Sequence, residues 1–234
     1  MKTRKSFHYD ALFLFLISIL FLSCNFSKES KSNELWETLE SVPLNPIIEA
    51  QIDEMLPKLT LKQKVGQVIQ GDTGSITPEE IKEYRLGSVL SGGNSAPGPL
   101  PYAESKMWLD MADKYYNASI NDDDVEIAIP IIWGIDAVHG HANLKGAIIF
   151  PHNIGLGAMN NPDLIEKIAR VTAHELTVSG HDWTFAPTLA VPKDLRWGRS
   201  YEGFSENPNI VKSYADRIVV GLQGKFGSDD FMGD

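Results

Sequence analysis

Apolar positions along the chain fall into two alternating patterns. In some segments they recur every three or four residues, the spacing of an amphipathic helix, and between these segments lie short continuous apolar runs typical of buried strands. Helices are predicted from the N-cap Thr60, from Pro101, and over residues 162–179 and 208–223; strands are predicted over residues 86–90, 127–135 and 183–186.

The expected helix ends coincide with residues that start or stop helices. Thr60 can accept a hydrogen bond from the first turn of the helix that follows it. Gly180 and Gly224 come directly after the last two predicted helices, where glycine is the commonest terminating residue. The apolar faces comprise Leu61, Val65, Val68 and Ile69 in the first helix and Trp108, Met111, Ala112 and Tyr115 in the second.

Strands alternate with helices, and this order predicts an α/β fold with a parallel sheet wrapped by helices. A (β/α) barrel and a doubly wound sheet both satisfy the pattern. At most four or five βα units can be counted, whereas a complete barrel has eight strands and typically ~250 residues. About 190 residues follow position 45, and residues 225–234 have the composition of a loop. A barrel of this length would therefore be incomplete.

The N-terminus has the pattern of a targeting sequence. Basic residues precede a short uncharged apolar run, residues 11–23, which fits a signal peptide and is short for a membrane-spanning helix. The only cysteine, Cys24, follows in a context that resembles a bacterial lipobox, in which the cysteine is lipidated. Residues 1–24 are therefore predicted to be a lipoprotein signal peptide; a plain secretory signal with an incidental cysteine is the alternative.

The next segment, residues 25–45, is polar and poorly periodic, and it is predicted to be a tether. The folded domain is predicted to span residues 46–234, with no cysteine left for a disulfide. The net charge of −10, from 21 basic and 31 acidic residues, argues against nucleic acid as a partner.

A carboxylate follows the most apolar predicted strand, in residues 134–141 (GIDAVHGH). Polar side chains at the carboxyl ends of parallel strands face the site, so Asp136 is placed to bind hydroxyl groups, act as a base or bind metal. Alternatively, Asp136 only caps a turn. His139 and His141 offer a further alternative, ligation of a divalent metal. Because no other ligands can be identified, no metal is predicted.

A second polar cluster, residues 193–202 (KDLRWGRSYE), follows the last predicted strand. Its charged groups and aromatic rings suit a saccharide, which offers hydroxyl groups and apolar C–H faces. The alternative is an ion-pair network that fixes the loop, with Arg196 and Glu202 as its expected structural members. Asp136 and Glu202 could also be a pair of catalytic carboxylates, which spacing cannot decide because they follow different strands.

Taken together and in this order, the two clusters resemble family 3 of the glycoside hydrolases. The motifs Asp-Ala-Val-His-Gly at 136–140 and Trp-Gly-Arg at 197–199 carry the resemblance, which covers nearly all of the chain after residue 55. Leu195 departs from the proline of many relatives, a change that concerns loop stiffness more than chemistry. The matching segments are residues 64–67, 87–93, 129–141, 150–157 and 185–206.

The resemblance implies a (β/α)8 barrel of the TIM type, of which residues 46–234 are the N-terminal part only. It implies a β-glucosidase that cleaves terminal non-reducing β-D-glucosyl residues from β-glucosides or β-glucan oligosaccharides with retention, without a cofactor. Asp136 is implied to bind hydroxyls of the non-reducing glucose, and Arg199 to hold the same sugar. The nucleophile and the acid/base of the family are not found, so the fragment itself is expected to be inactive.

The predicted location is the bacterial cell envelope, periplasm or outer membrane, with the protein held in the membrane by the lipid on Cys24. Two other functions remain open. One is a lipid-anchored protein that binds glycans without cleaving them, and the other is a metal-dependent barrel hydrolase that uses His139 and His141.

Overall fold

Four strands form one sheet in the part of the chain that the computed structural model describes, residues 44–92 and 95–232. The predicted signal peptide with Cys24 and most of the predicted tether lie outside these residues. The chain divides into two units, Met1–Ile48 and Glu49–Asp234, and the sheet belongs to the second. The strands are β1 (Gln70–Asp72), β2 (Ser88–Ser91), β3 (Ile132–Ile135) and β4 (Trp183–Thr184).

The strand order in the sheet is β1-β2-β3-β4, and each neighbouring pair is parallel. Crossovers between parallel strands are almost always right-handed, so a sequential order places the connecting helices on one face of the sheet. A doubly wound sheet instead reverses its strand order and is covered on both faces. The observed order is that of successive βα units in a barrel, which decides between the two arrangements that the sequence left open.

Helices connect the strands, and three of them begin where the sequence indicates, after Thr60, at Pro162 and at Pro208. In the described residues they are α1 (Pro46–Met55), α2 (Leu61–Gln67), α3 (Pro78–Tyr84), α4 (Ser105–Ser119), α5 (Asn153–Met159), α6 (Pro162–Thr177) and α7 (Pro208–Gln223). Thr60 caps α2 through a capping box with Gln63. The bounds of α7 are those predicted, and Gly224 ends it with φ 79°.

The second predicted helix begins at Ser105 rather than at Pro101. The N–H of Ala103 donates to the carbonyl of Asn143 at 2.9 Å, and the carbonyl of Ala103 accepts from Lys145 at 2.9 Å. Both backbone groups of Ala103 are therefore bonded to a neighbouring segment, and the helix starts only after it.

The predicted strand 127–135 is shortened to β3 for a similar reason. Pro130 has no N–H to donate to a strand ladder. The N–H of Ile131 donates to Ser119 Oγ on α4 at 3.0 Å, away from the sheet. The predicted strands 86–90 and 183–186 correspond to β2 and to the two-residue β4.

The sequence pattern did not reveal β1, α1, α3 or α5. β1 has only three residues, and Gln70, Gly71 and Asp72 show no apolar pattern. A signal for α3 was present, because Thr77 and Glu80 form a capping box at its start.

Side chains of β3 alternate between the two faces of the sheet. Trp133 is buried, and its ring lies 5.9 Å from that of Trp108 on α4. Gly134 points to the opposite, inner face, where a Cβ atom would lie 2.5 Å from the indole of Trp183. Trp183 thus crosses the inner face over a glycine, and the next inward position after that glycine is Asp136.

A second apolar core joins α5, α6 and α7. Tyr214 of α7 donates its hydroxyl hydrogen to the Leu156 carbonyl at 2.9 Å and accepts from the N–H of Asn161 at 2.9 Å. These bonds attach α7 to both neighbouring helices. The buried members of this core are Leu156, Ile165, Ala169, Phe204, Val211, Tyr214 and Ile218.

The apolar residues predicted for one face of the helix after Thr60, which is α2, are not buried. Leu61 is 78% exposed and Val65 49%, and the predicted Val68 and Ile69 come after the end of α2. Leu61, Val65 and Ile69 line an apolar groove of about 540 Å³ on the β1 side of the sheet, together with Ile76 and Tyr84.

The packing of α5 against the segment around Phe204 can be tested at two glycines of α5, because only one of them has space for a methyl group. At Gly157 a Cβ atom would lie 1.6 Å from the Phe204 carbonyl oxygen, whereas at Gly155 the nearest atom, in Pro151, is 3.4 Å away. Gly157→Ala should lower the free energy of unfolding by at least ~2 kcal/mol, because backbone must move. Gly155→Ala should raise it by up to about 1 kcal/mol through helix propensity.

The two alanine variants are compared by urea or thermal unfolding of the same protein. Equal stability of the two would contradict the close approach of α5 to the segment around Phe204.

Candidate functional site

Asp136 lies directly after β3, at the carboxyl edge of the sheet, and its side chain is exposed. The loop that follows is fixed by residues 148–150. The Nδ1 of His139 bonds to the Phe150 carbonyl at 2.8 Å, and the N–H of Phe150 donates to the His139 carbonyl at 2.9 Å. Gly140 adopts φ 105°, and a Cβ there would lie 2.2 Å from the Ile148 carbonyl. Asp136 therefore leads into a loop whose course is set within a few residues.

His152 forms the junction between this loop and the second cluster. It is the N-cap of α5, and its Nδ1 accepts the N–H of Asn153 at 3.0 Å. Its ring lies 4.4 Å from that of His139 and 4.5 Å from that of Tyr201. Burial lowers the pKa of His152 below its ordinary value and His139 lowers it further.

Arg199 and Glu202 form a two-pronged ion pair. Arg199 Nε donates to Glu202 Oε1 at 2.8 Å, and Nη2 donates to Oε2 at 2.5 Å. The arginine side chain is 64% exposed, whereas that of the glutamate is 13% exposed. Glu202 lies in the 3-10 turn Ser200–Glu202, and its carbonyl accepts a hydrogen bond from Asn153 Nδ2 at 2.7 Å.

Electrostatics connect Asp136 to this ion pair. The pKa of the Arg199 guanidinium is raised by Glu202 and, to a smaller extent, by Asp136. Asp136 also acts to raise the pKa of His152. Asp136 thus lies within electrostatic range of Arg199, the other residue that the sequence singled out for binding, although the two follow different strands.

The ion-pair alternative for the second cluster agrees with the structure, because its two expected structural members, Arg196 and Glu202, both form ion pairs. Arg196 pairs with Asp194, two residues before it, on the exposed surface of the loop. Glu202 pairs with Arg199. The arginine expected to hold a ligand is therefore itself oriented by a carboxylate.

A catalytic pair of Asp136 and Glu202 does not fit this geometry. Both carboxylate oxygens of Glu202 accept hydrogen bonds from Arg199, and these bonds hold the pKa of Glu202 below its ordinary value against the opposing effect of burial. A general acid of a glycosidase needs a raised pKa, and a nucleophile needs a free oxygen. Glu202 is suited to neither role here.

The histidines proposed as metal ligands face different surroundings. His139 stacks on His152, whereas His141 is fully buried beside Trp108 and His181, at ring distances of 5.5 and 5.2 Å. Within residues 44–92 and 95–232, no group of three or more His, Cys, Asp or Glu side chains could hold a metal ion. The arrangement gives the metal-site alternative no support.

Sequence reasoning overlooked His181 and the part played by His152. His181 bonds through Nδ1 to Ser179 Oγ at 2.9 Å inside the core beneath α4. Burial lowers the pKa of His141 to about 4 and that of His181 to about 3, so both rings are neutral at neutral pH. His174 is exposed on α6. No sequence motif distinguishes these histidines, because their surroundings come from tertiary contacts.

Comparison with known proteins gives a consistent result. Residues 60–232 match the sequence profile described as "Glycosyl hydrolase family 3 N terminal domain". The lysosomal beta glucosidase of Dictyostelium discoideum is 32% identical over 198 residues, which are 78% of this chain and 23% of that protein. The periplasmic beta-glucosidase of Salmonella typhimurium is 28% identical over 195 residues, 81% of this chain and 23% of that protein.

A solved structure shows the same architecture. The exo-1,3/1,4-beta-glucanase from a Pseudoalteromonas species matches with a TM-score of 0.77 and 48% sequence identity, over 82% of this chain and 24% of that one. The chain therefore spans about a quarter of the length of these proteins. The likeness confirms that the four βα units are part of a barrel of the TIM type.

Proposed function

Because the chain belongs to glycosyl hydrolase family 3, we propose that it is the N-terminal part of a longer retaining β-glucosidase. The substrates would be β-glucosides or β-glucan oligosaccharides, from which the enzyme removes terminal non-reducing β-D-glucosyl residues. The observation that carries the proposal is the electrostatic interaction of Arg199 with Asp136 at the carboxyl edge of the sheet, in a chain of which 82% aligns at 48% identity with an exo-1,3/1,4-beta-glucanase.

Asp136 and Arg199 provide complementary hydrogen-bonding groups for a sugar. The exposed carboxylate of Asp136 accepts hydrogen bonds from hydroxyl groups, and charged acceptors make the stronger bonds of this kind. A guanidinium carries five N–H donors, of which Glu202 uses two. The remaining donors of Arg199 point in directions that the ion pair fixes, so they can bind hydroxyl oxygens of the same sugar.

In the proposed enzyme, bond cleavage depends on residues outside this chain. A retaining mechanism needs two carboxyl groups about 5–5.5 Å apart, one as nucleophile and one as acid/base. Asp136 is assigned to substrate binding, and Glu202 is engaged by Arg199. The 234 residues alone are therefore expected to bind sugar weakly at most and to leave the glycosidic bond intact.

For the location of the protein, we propose lipid anchoring at Cys24 in a bacterial cell envelope. The sequence of residues 1–24 supports it, and one relative, from Salmonella typhimurium, is named as periplasmic. No helix in the described ranges is long and apolar enough to cross a membrane.

The stereochemistry of the first product tests the proposed reaction. The complete protein, given an aryl β-glucoside or laminaribiose, should release β-glucose first, because two successive inversions at the anomeric carbon restore its configuration. Proton NMR during the first minutes distinguishes the anomers before mutarotation. Initial α-glucose would refute the retaining mechanism, and binding without any turnover would favour the non-catalytic glycan-binding alternative.

Asp136→Asn tests the binding role of this carboxylate in the complete protein. A hydrogen bond to a charged acceptor is worth roughly 1.5–3 kcal/mol, so kcat/KM should fall at least about tenfold. Asp110→Asn, on the exposed surface of α4, is the matched control and should leave kcat/KM unchanged. Activity of Asp136→Asn within twofold of the parent would mean that Asp136 is only a turn residue. Loss of activity with a chelator would revive the metal alternative.

Membrane fractionation tests the anchor. Cys24→Ser should move the protein from the membrane fraction to the soluble fraction almost completely, because several acyl chains bind firmly whereas none remains in the variant. A Cys24→Ser protein that stays with the membrane would refute lipidation at this residue.

A further inference from the structure

His152 contacts both of the segments that carry the candidate site. Its ring is half-buried between the His139 ring, at 4.4 Å and an interplanar angle of 37°, and the Tyr201 ring, at 4.5 Å and 83°. His139 belongs to the loop that follows Asp136, and Tyr201 belongs to the turn that contains Glu202. The imidazole therefore lies between the two halves of the site.

The two ring nitrogens of His152 have different partners. Nδ1 accepts the N–H of Asn153 in the first turn of α5, so it carries no proton, and the proton of the neutral ring is on Nε2. The other side of the ring contacts the Tyr201 ring at 4.5 Å, and the backbone of Tyr201 acts to raise the pKa of His152. A carbonyl facing Nε2–H accounts for that effect. Nδ1 thus stabilises a helix end, and Nε2 is left to face the turn.

The turn is held at consecutive residues from the same side. The His152 ring contacts the Tyr201 ring at 4.5 Å, and its neighbour Asn153 donates from Nδ2 to the Glu202 carbonyl at 2.7 Å. Glu202 in turn holds Arg199, whose side chain is 64% exposed. The direction in which this guanidinium points therefore depends on where the turn places Glu202.

On the other side, His139 is tied to Phe150 by its ring and by its backbone. Its stacking on His152 consequently links the loop after Asp136 to the turn that orients Arg199. Three titratable side chains act on the pKa of His152, and the ring of a fourth, Tyr201, contacts it; the three are His139, Glu202 and Asp136.

We propose that His152 is a positioning residue, which holds the Arg199–Glu202 pair at the distance and angle from Asp136 that a glucosyl residue requires. It acts through the backbone of Tyr201 and through Glu202, and it touches neither the sugar nor the reacting atoms. This assignment rests on the proposed function for its ligand, but the geometric part does not depend on any activity.

Two substitutions separate the roles of the two nitrogens. The amide oxygen of His152→Asn takes the place of Nδ1 and keeps the helix cap, whereas the amide nitrogen of His152→Gln takes the place of Nε2 and keeps the donor to Tyr201. We expect His152→Asn to keep the parental Tm but release Arg199. His152→Gln should lower Tm but keep Arg199 in place.

Phenylglyoxal modification followed by peptide mass spectrometry measures the release of Arg199 in the complete protein. Its modification rate should rise at least about threefold in His152→Asn and stay at the parental rate in His152→Gln, because pairing with Glu202 protects the guanidinium. Arg196, 92% exposed and paired with Asp194, is the internal control and should react alike in all variants. The same substitutions at the exposed His174 on α6 are the matched control.

If the modification rate of Arg199 rises only in the variant whose Tm falls, the role of His152 is purely structural and the proposal is overturned. An unchanged modification rate of Arg199 in His152→Asn would overturn it as well.

With an aryl β-glucoside, kcat/KM should fall at least about tenfold in His152→Asn and less than threefold in His152→Gln. When Arg199→Ala is already present, adding His152→Asn should lower kcat/KM by less than a further twofold. A further tenfold loss of kcat/KM would show that His152 does not act through Arg199 and would overturn the proposal. Absence of hydrolysis in the parent protein would refute the proposed function alone, because the modification rates still test the positioning role.

Discussion

Parallel pairing of the strands is the constraint on which the rest of this structure depends. A chain that returns in the same direction must cross back over the sheet, so every strand ends at the same edge. β3 and β4 are neighbours, and the segments that follow them start side by side. That is why Asp136 lies within electrostatic range of Arg199 although the two are far apart in sequence, and why no local motif could have created the site by itself.

Close backbone contacts then determine the course of the segment after β4. Phe204 approaches α5 at Gly157, where no Cβ fits, and Gly203 lies against Pro192, where a Cβ would be 2.6 Å from the proline ring. Both contacts come directly after the turn that contains Glu202. The position of the charged groups is therefore set by α5 and by small residues beside it, which have no chemical role of their own.

The sequence was sufficient for the alternation of strands and helices, for the bounds of α7 and for Asp136 as a polar group at the end of a buried strand. It was insufficient where tertiary bonds override a local pattern, as at Ala103 and Ile131, whose N–H groups bond outside the predicted element. The sequence also could not predict which arginine of residues 193–202 pairs with Glu202. Arg196 and Arg199 are both near Glu202 in sequence, and only the 3-10 turn decides that Arg199 meets it. The role of His152 depends on three separate segments, so spacing could not indicate it.

The pairing of Arg199 with Glu202 has a consequence for the kind of ligand that the site favours. A lone arginine attracts anions, such as phosphates and carboxylates, by its net charge. Here the glutamate stays ionised because Arg199 holds its pKa below the ordinary value, so the two charges cancel. The guanidinium keeps its directed N–H donors, and Asp136 adds an acceptor and a negative charge. Such a combination disfavours an anionic ligand and retains hydrogen bonds for a neutral one, which is the character of a glucosyl residue in the proposed substrates.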